Sequence, residues 1–151
     1  MSKEKYCELI DQLCKKLGIE DSKSMYNACN VEVGNIPFTL LHGGNLDQDS
    51  LYLYCNFGEP PSERKTMVLQ RLLETNLCLF GHNAQNFGFN VETGRVLQMS
   101  RMSVSQTKVE SLMQVLGGLA AYAQMWRQSA FLPILEIEQA FSTIQHSQFA
   151  A

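Results

Sequence analysis

Few residues in this chain are spaced for bond-making chemistry. Cys78 and His82 stand four apart, the separation at which a thiolate and an imidazole share one helix face and act as nucleophile and base. No acid is placed to orient the imidazole and no oxyanion loop accompanies the pair, so a buried thiol followed by a turn histidine is the simpler reading. His42-Gly43-Gly44 has the composition of an esterase oxyanion loop, but no GxSxG elbow exists to serve it, and it reads as a hairpin connection. The histidines His42, His82 and His146 lie in separate segments, and Cys7, Cys14, Cys29, Cys55 and Cys78 form no CxxC pair. Neither a metal site, a disulfide framework nor a cofactor is expected, and the cysteines read as free thiols of a reducing compartment. Gly117-Gly118 falls within a helical pattern, where it serves close packing rather than phosphate binding. Phe87 and Phe89 would stack nucleobases only beside clustered Lys and Arg, which the sequence lacks there.

Composition points the same way. A length of 151 residues suits one domain, and 45% hydrophobic with 18% charged residues supplies a core without a highly charged tail. The net charge of −3 and the absence of any basic run beyond Lys15-Lys16 argue against a nucleic-acid partner. The longest apolar stretch, residues 115–123, is much shorter than the roughly 20 residues of a membrane span. The start, Ser2-Lys3-Glu4-Lys5, leads into an amphipathic pattern rather than a signal-peptide core.

The elements that position these residues follow from periodicity. Tyr6, Leu9, Ile10, Leu13 and Leu17 recur at helical spacing, with Ser2 as cap, Glu4 in the first turn, Lys15 and Lys16 in the last and Gly18 as stop. Cys29, Val31 and Val33 alternate with polar positions before the turn Gly34-Asn35, and residues 36–42 form a second strand in which Pro37 requires either a sheet-edge strand or a place at the strand's first residue. After the polar loop 43–49 a third strand covers 51–57, ended by Gly58-Glu59-Pro60-Pro61. A second helix over 62–79, capped by Ser62, carries two apolar arcs: Val68, Leu72 and Leu79 on one, Leu69, Leu73, Leu77 and Phe80 on the other. Two arcs imply burial against two surfaces, and so a second subunit. Phe87, Phe89 and Val91 share a face of a fourth strand, Glu92-Thr93-Gly94 turns, and the fifth strand runs from Arg95 past Met99, with Met99 and Met102 on opposite faces. A long helix begins at Ser105 and keeps spacing from Val109 to Trp126; Pro133 breaks it, 134–145 suits a short helix and 147–151 a frayed tail.

The fold class expected is therefore α+β, in the order α-β-β-β-α-β-β-α, a twisted antiparallel sheet packed against helices and homodimeric. That order resembles the class I type III secretion chaperones of the Tir chaperone (CesT-like) family. Leu72-Leu73-Glu74-Thr75-Asn76, followed by Phe87-Gly88-Phe89-Asn90-Val91-Glu92-Thr93-Gly94-Arg95-Val96-Leu97, is similar to the family's helix ending in Leu-Leu-x-x-Asn and its strand-turn-strand x-G-x-[DN]-x-x-[ST]-G-[RK]-[VL]; Leu17-Gly18-Ile19 agrees too. The resemblance covers residues 1–128 as a chaperone domain and leaves 129–151 as a C-terminal extension.

The resemblance implies a non-enzymatic homodimer in the bacterial cytoplasm that binds the N-terminal chaperone-binding segment of a secreted effector and keeps it soluble and secretion-competent, a virulence-related role. It implies a dimer interface on the second helix, at Val68, Leu69, Leu72 and Leu73. For the effector it implies Ile36, Phe38 and Leu40 on the Pro37 strand, Phe87 and Phe89 on the fourth strand, and Val96, Gln98 and Met102 on the fifth; plain core burial is the competing reading of each. A small cysteine-dependent hydrolase using Cys78 and His82 is the alternative from another class, and a homodimer that regulates another protein is a third.

Overall fold

The first helix forms as its spacing dictates. α1 spans Ser2–Leu17 and buries Tyr6, Leu9, Ile10, Leu13 and Cys14 on one stripe. Gly18 ends it in the left-handed conformation (φ 74°), the backbone that glycine adopts at no steric cost, and Ile19 N–H donates back to Cys14 O at 2.8 Å. The computed structural model describes residues 2–80 and 85–130; His82, Pro133 and the extension beyond Ala130 lie outside the described residues.

Three strands follow: β1 (Cys29–Val33), β2 (Ile36–His42) and β3 (Ser50–Gly58). Gly34 (φ 56°) and Asn35 (φ 62°) close a two-residue hairpin whose paired positive φ values match the strand twist. A turn of that type makes its flanking pair, Val33 and Ile36, a hydrogen-bonded one, so ladder bonds to β2 fall on Val33, Val31 and Cys29. The backbone groups of Asn30 and Glu32 then point to the other side, away from the sheet.

β2 is an interior strand with Pro37 at its second residue, contrary to the edge or first-residue place that Pro37 implied; the sheet order is β1-β2-β3-β5-β4. The same alternation explains how Pro37 is accommodated. It opposes Glu32 in a pair without ladder bonds, so its missing N–H faces β3, and the ladder to β3 begins only at Phe38.

α2 (Lys65–Leu79) is entered through a single 3-10 turn, Ser62–Arg64, and Ser62 bonds Glu63 instead of capping the helix as expected. β4 (Asn86–Asn90) and β5 (Arg95–Ser103) form the second hairpin. Its turn is held by the Asn90 carboxamide oxygen, which accepts from Glu92 N–H and Thr93 N–H; Val91 belongs to this turn and is exposed rather than facing inward with Phe87. α3 starts at Val109, not at Ser105, and runs to Ser129. Ser105 is instead tied to Asp49, whose carboxylate accepts from Ser103 and Ser105 hydroxyls and from Ser105 N–H at 2.8 Å. These bonds, the Ser103 hydroxyl foremost, hold the Asp49 carboxyl below the usual carboxylate range.

All neighbouring strands are antiparallel, so one side-chain face is shared across the sheet. Leu40, Leu53, Ser100, Cys55 and Gln98 lie on it in register. α1 and α3 cover that face: Tyr6 hydroxyl donates to Leu40 O at 3.1 Å, and Trp126 of α3 stacks tilted on Phe57 at 5.9 Å. Phe57 in turn meets Phe87 edge to face at 5.1 Å.

α2 is attached at the flank, through β4. The Asn76 carboxamide donates to Phe87 O at 2.9 Å and accepts from Phe87 N–H at 2.7 Å, taking both backbone groups of one residue that points away from β5. Lys65 adds its ammonium 4.9 Å above the Phe89 ring. Asn76→Ala leaves two backbone groups without partners at a packed junction. We expect a loss of about 1–3 kcal/mol in denaturant unfolding, and Asn76→Asp, which keeps the acceptor and removes the donor, should lose part of it.

Candidate functional site

Strand parity decides what the sheet offers a partner. Ile36, Phe38, Leu40, Phe87, Val96, Gln98 and Met102, all expected to meet an effector, are buried beneath the helices. Their side chains are not available at the surface of the protomer. Ile36, Phe38 and Leu40 sit on the same face as Val31 and Leu53, which α1 and α3 cover, and Val96, Gln98 and Met102 continue that face on β5. Gln98 Nε2 donates there to Ser100 Oγ at 2.7 Å, while its Oε1 is buried with no hydrogen-bond partner among the described residues. Phe89 alone of the set is half-exposed, under Lys65.

The opposite sheet face is the accessible one. Thr39 and Leu41 on β2, Tyr52 and Tyr54 on β3, and Leu97 and Met99 on β5 are all half-buried. Tyr54 opposes Thr39 on one side and Met99 on the other, so the residues make a continuous band. Met99 folds over Gly88, whose added Cβ would meet the methionine methyl at 3.0 Å. The expectation that one of Met99 and Met102 faces outward holds: Met102 is buried and Met99 is not. This band is rimmed by Arg101, paired to Asp47 at 2.9 Å, and by Tyr52 hydroxyl donating to Asp47 at 2.7 Å. Periodicity names the band as surely as the buried set, since both alternate; nothing in a strand pattern says which face the helices take.

The two sheet edges differ. Asn76 occupies the outward backbone groups of Phe87 and so blocks β4 as a template for another strand. Among the described residues β1 has no strand beyond it, and Asn30 and Glu32 are exposed there. Its polar, exposed alternate positions leave the backbone accessible.

α2 carries the two arcs that its sequence shows. Val68, Leu72, Thr75 and Leu79 are buried against the protomer. On the far side Leu73 is 70% exposed, Leu77 80% and Phe80 90%, with Leu69 half-buried beside them. Of the four residues expected at a dimer interface, Val68 and Leu72 are therefore packed inside the chain, while Leu69 and Leu73 lie on the outward stripe. Leu77 and Phe80 extend that stripe and were visible in the same spacing.

Of the Cys78 and His82 pair only Cys78 falls among the described residues. α2 ends at Leu79, Phe80 is already extended (φ −56°, ψ 127°), and the Cys78 side chain is exposed. Cys14, Cys29 and Cys55 are buried, and burial pushes the Cys29 thiol up to about 12, leaving it protonated and inert. His42 is held as a connector: its Nδ1 accepts from Gly44 N–H at 3.1 Å, which makes Nε2 the protonated nitrogen facing Gln48 O at 2.7 Å. Among the described residues no three His, Cys, Asp or Glu side chains are grouped to hold a metal ion, and no helix is long and apolar enough to cross a membrane.

Comparison with solved structures finds the same architecture. A chain of the ExsC–ExsE complex superposes with a TM-score of 0.65 at 17% sequence identity, covering 85% of this chain and 95% of that one. A chain of the HopA1–SchA chaperone–effector complex gives 0.63 at 19% identity, covering 85% and 98%. No curated protein matches the sequence significantly. The model of the Tir chaperone protein (CesT) family matches residues 8–127, from the second turn of α1 to the last turn of α3, so this chain belongs to that family.

Proposed function

We propose that this protein is a non-catalytic, homodimeric chaperone of type III secretion that binds the N-terminal chaperone-binding segment of a secreted effector in the bacterial cytoplasm and keeps it soluble and secretion-competent. The observation that carries the reading is an open β1 edge on a sheet whose uncovered face is a continuous apolar band, in a member of the CesT family. A chaperone–effector complex among its structural relatives supports it.

The binding mode follows from those surfaces. An extended effector segment adds a strand along β1 through the outward groups of Asn30 and Glu32, and its apolar side chains reach the band of Leu41, Tyr52, Tyr54, Leu97 and Met99. The aromatic and methionine side chains of that band supply large, adaptable contacts. Phe89 is the one residue of the originally expected cargo set with surface left to contribute.

Dimerisation uses the outer stripe of α2. Leu69, Leu73, Leu77 and Phe80 form an exposed apolar patch that two copies can bury by a self-complementary contact. Leu73→Glu should give a monomer by light scattering with an unchanged circular dichroism spectrum, because the side chain is exposed in the protomer. Leu72→Glu, which puts a charge in the protomer core, should cost several kcal/mol of folding stability instead. A Leu73→Glu chain that remains dimeric rules out this interface.

The edge assignment is tested separately. Glu32→Pro removes an outward N–H while leaving the ladder bonds to β2 in place, so the fold should survive and affinity for an effector segment should fall at least tenfold, about 1.4 kcal/mol. Glu32→Ala serves as the control and should bind within about twofold of the unaltered chain, a few tenths of a kcal/mol. Equal affinities for all three chains, measured by calorimetry, would place the cargo elsewhere.

A further inference from the structure

The apolar band of the uncovered sheet face ends in a cavity of about 440 Å³, where the residues change character. Pro37, Asn56 and Arg95 stand two positions along their strands from Thr39, Tyr54 and Leu97, so they continue the three rows of the band past its apolar members. All three line the cavity, together with Gly58 and Glu59 at the end of β3 and Arg127 of α3.

Arg127 is fixed in place by backbone. Its Nε donates to Phe57 O at 2.9 Å and its Nη2 to Asn56 O at 3.1 Å, beside the register shift between Asn56 and Gly58. Gly58 (φ 106°) lets the guanidinium lie that close, since a Cβ there would meet Arg127 Nε at 3.3 Å. Both acceptors are neutral carbonyls, so the guanidinium charge is not compensated, and Nη1 takes no part in either bond. Arg95 is exposed, and among the described residues neither arginine has a carboxylate within ion-pair distance. Glu59, exposed on the same wall, offsets one of the two guanidinium charges and leaves one positive charge in surplus. At the far end of the band Arg101 is already paired to Asp47 at 2.9 Å. In a chain of net charge −3, only one end of the band is thus cationic.

On the reading that an effector segment follows β1 and covers the band, we infer that this cavity takes one aspartate or glutamate side chain of that segment, and so favours cargo that carries an acid just past its apolar stretch. The place fits, because Asn35, in the turn that ends β1, lines the cavity too, and a chain that follows β1 past Val33 meets it on leaving the strand. The charge fits as well. A carboxylate accepts from the fork of Arg95 and from Arg127 Nη1 and neutralises the single surplus charge. A phosphoryl group would set a second negative charge beside Glu59 with nothing to offset it. A guanidinium already held by backbone carbonyls loses little further freedom when the carboxylate arrives.

Selection from phage-displayed random peptides of about 15 residues, with the unaltered protein as bait, tests the cavity. Binders should carry alternating apolar residues and, at one fixed position beside them, Asp or Glu; selection on an Arg95→Gln chain should keep the alternation and lose the acid. The strongest binder, synthesised, should bind about fivefold more weakly to Arg95→Gln, and equally so to the unaltered protein once its acid is replaced by Gln, the two changes together costing no more than one. Arg95→Glu should recover affinity for the peptide whose acid is replaced by Lys, which a merely structural arginine would not produce. Glu59→Gln should tighten the original peptide about twofold. Binders without a positional acid, or an acid preference that Arg95→Gln leaves unchanged, overturn the inference while the effector reading stands. Binders that lack the apolar alternation and are indifferent to Glu32→Pro overturn both. Dissociation of an Arg95→Gln dimer, seen by light scattering, gives the cavity to an acid of a second copy and overturns its assignment to cargo.

Discussion

The carboxamide of Asn76 bonded to both backbone groups of Phe87 fixes the arrangement on which the surfaces of this protein depend. An amide side chain offers one donor and one acceptor at the spacing that an outward-facing strand residue presents, so it can stand in for a neighbouring strand. Because the bracket sits in the last turns of α2, it pins the helix lengthwise to β4. Val68, Leu72 and Leu79 are then drawn into the core, and the stripe opposite them has to face away from the chain. The same contact closes one sheet edge and leaves the other open. A single side chain thus sets the exposed apolar stripe of α2 apart from the open β1 edge.

Parity of the strands makes the second division. With every pair antiparallel and the registers continuous apart from one shift between Asn56 and Gly58, residues of one parity within each strand share one face up to that shift, and α1 with α3 can cover only one of the two. The covered face is the one that places Phe38, Leu53 and Val96 under the Trp126 end of α3 and the Tyr6 stripe of α1. The uncovered face keeps hydroxyls and a thioether at its apolar band, which limits its cost in water while leaving surface for a partner to bury. Gln98 and Ser100 are polar residues on the covered face, joined by a bond from Gln98 Nε2 to Ser100 Oγ that leaves Gln98 Oε1 without a partner among the described residues.

Element order, the two hairpins and the two arcs of α2 were legible in the sequence because each is a local pattern: the Gly34-Asn35 turn, the Asn90-to-Gly94 turn and the four-residue recurrence from Leu69 to Leu77. What was not legible is what depends on distant partners. Ser62 and Ser105 look like caps, yet one lies in a 3-10 turn and the other answers to Asp49, more than fifty residues away. Pro37 marks a missing donor, but whether that donor is missed depends on where the β3 ladder starts. In a sheet covered on one side the most apolar parity is the one the helices take, so Phe38 and Leu40 lie buried, while Tyr52 and Tyr54, less apolar and on the other parity, stand on the uncovered face.

Magnitudes show why the apolar band matters more than the open edge. Ordering five residues of a disordered segment into a strand costs about 5–10 kcal/mol of backbone entropy, at about 1–2 kcal/mol per residue. In the binding mode proposed above, the outward groups of Asn30 and Glu32 return about 1 kcal/mol each, which falls short of even the lower end of that cost. Burial of apolar surface at about 25 cal/mol per Å² has to supply the rest, so a few hundred Å² on Leu41, Tyr54, Leu97 and Met99 would decide whether a segment stays bound. The backbone edge then fixes direction and register for any extended chain, whereas the spacing of apolar side chains along that chain determines which one is kept. The proposed dimer would offer both features twice on one particle, so a segment long enough to engage both copies would gain the second contact without a second association step.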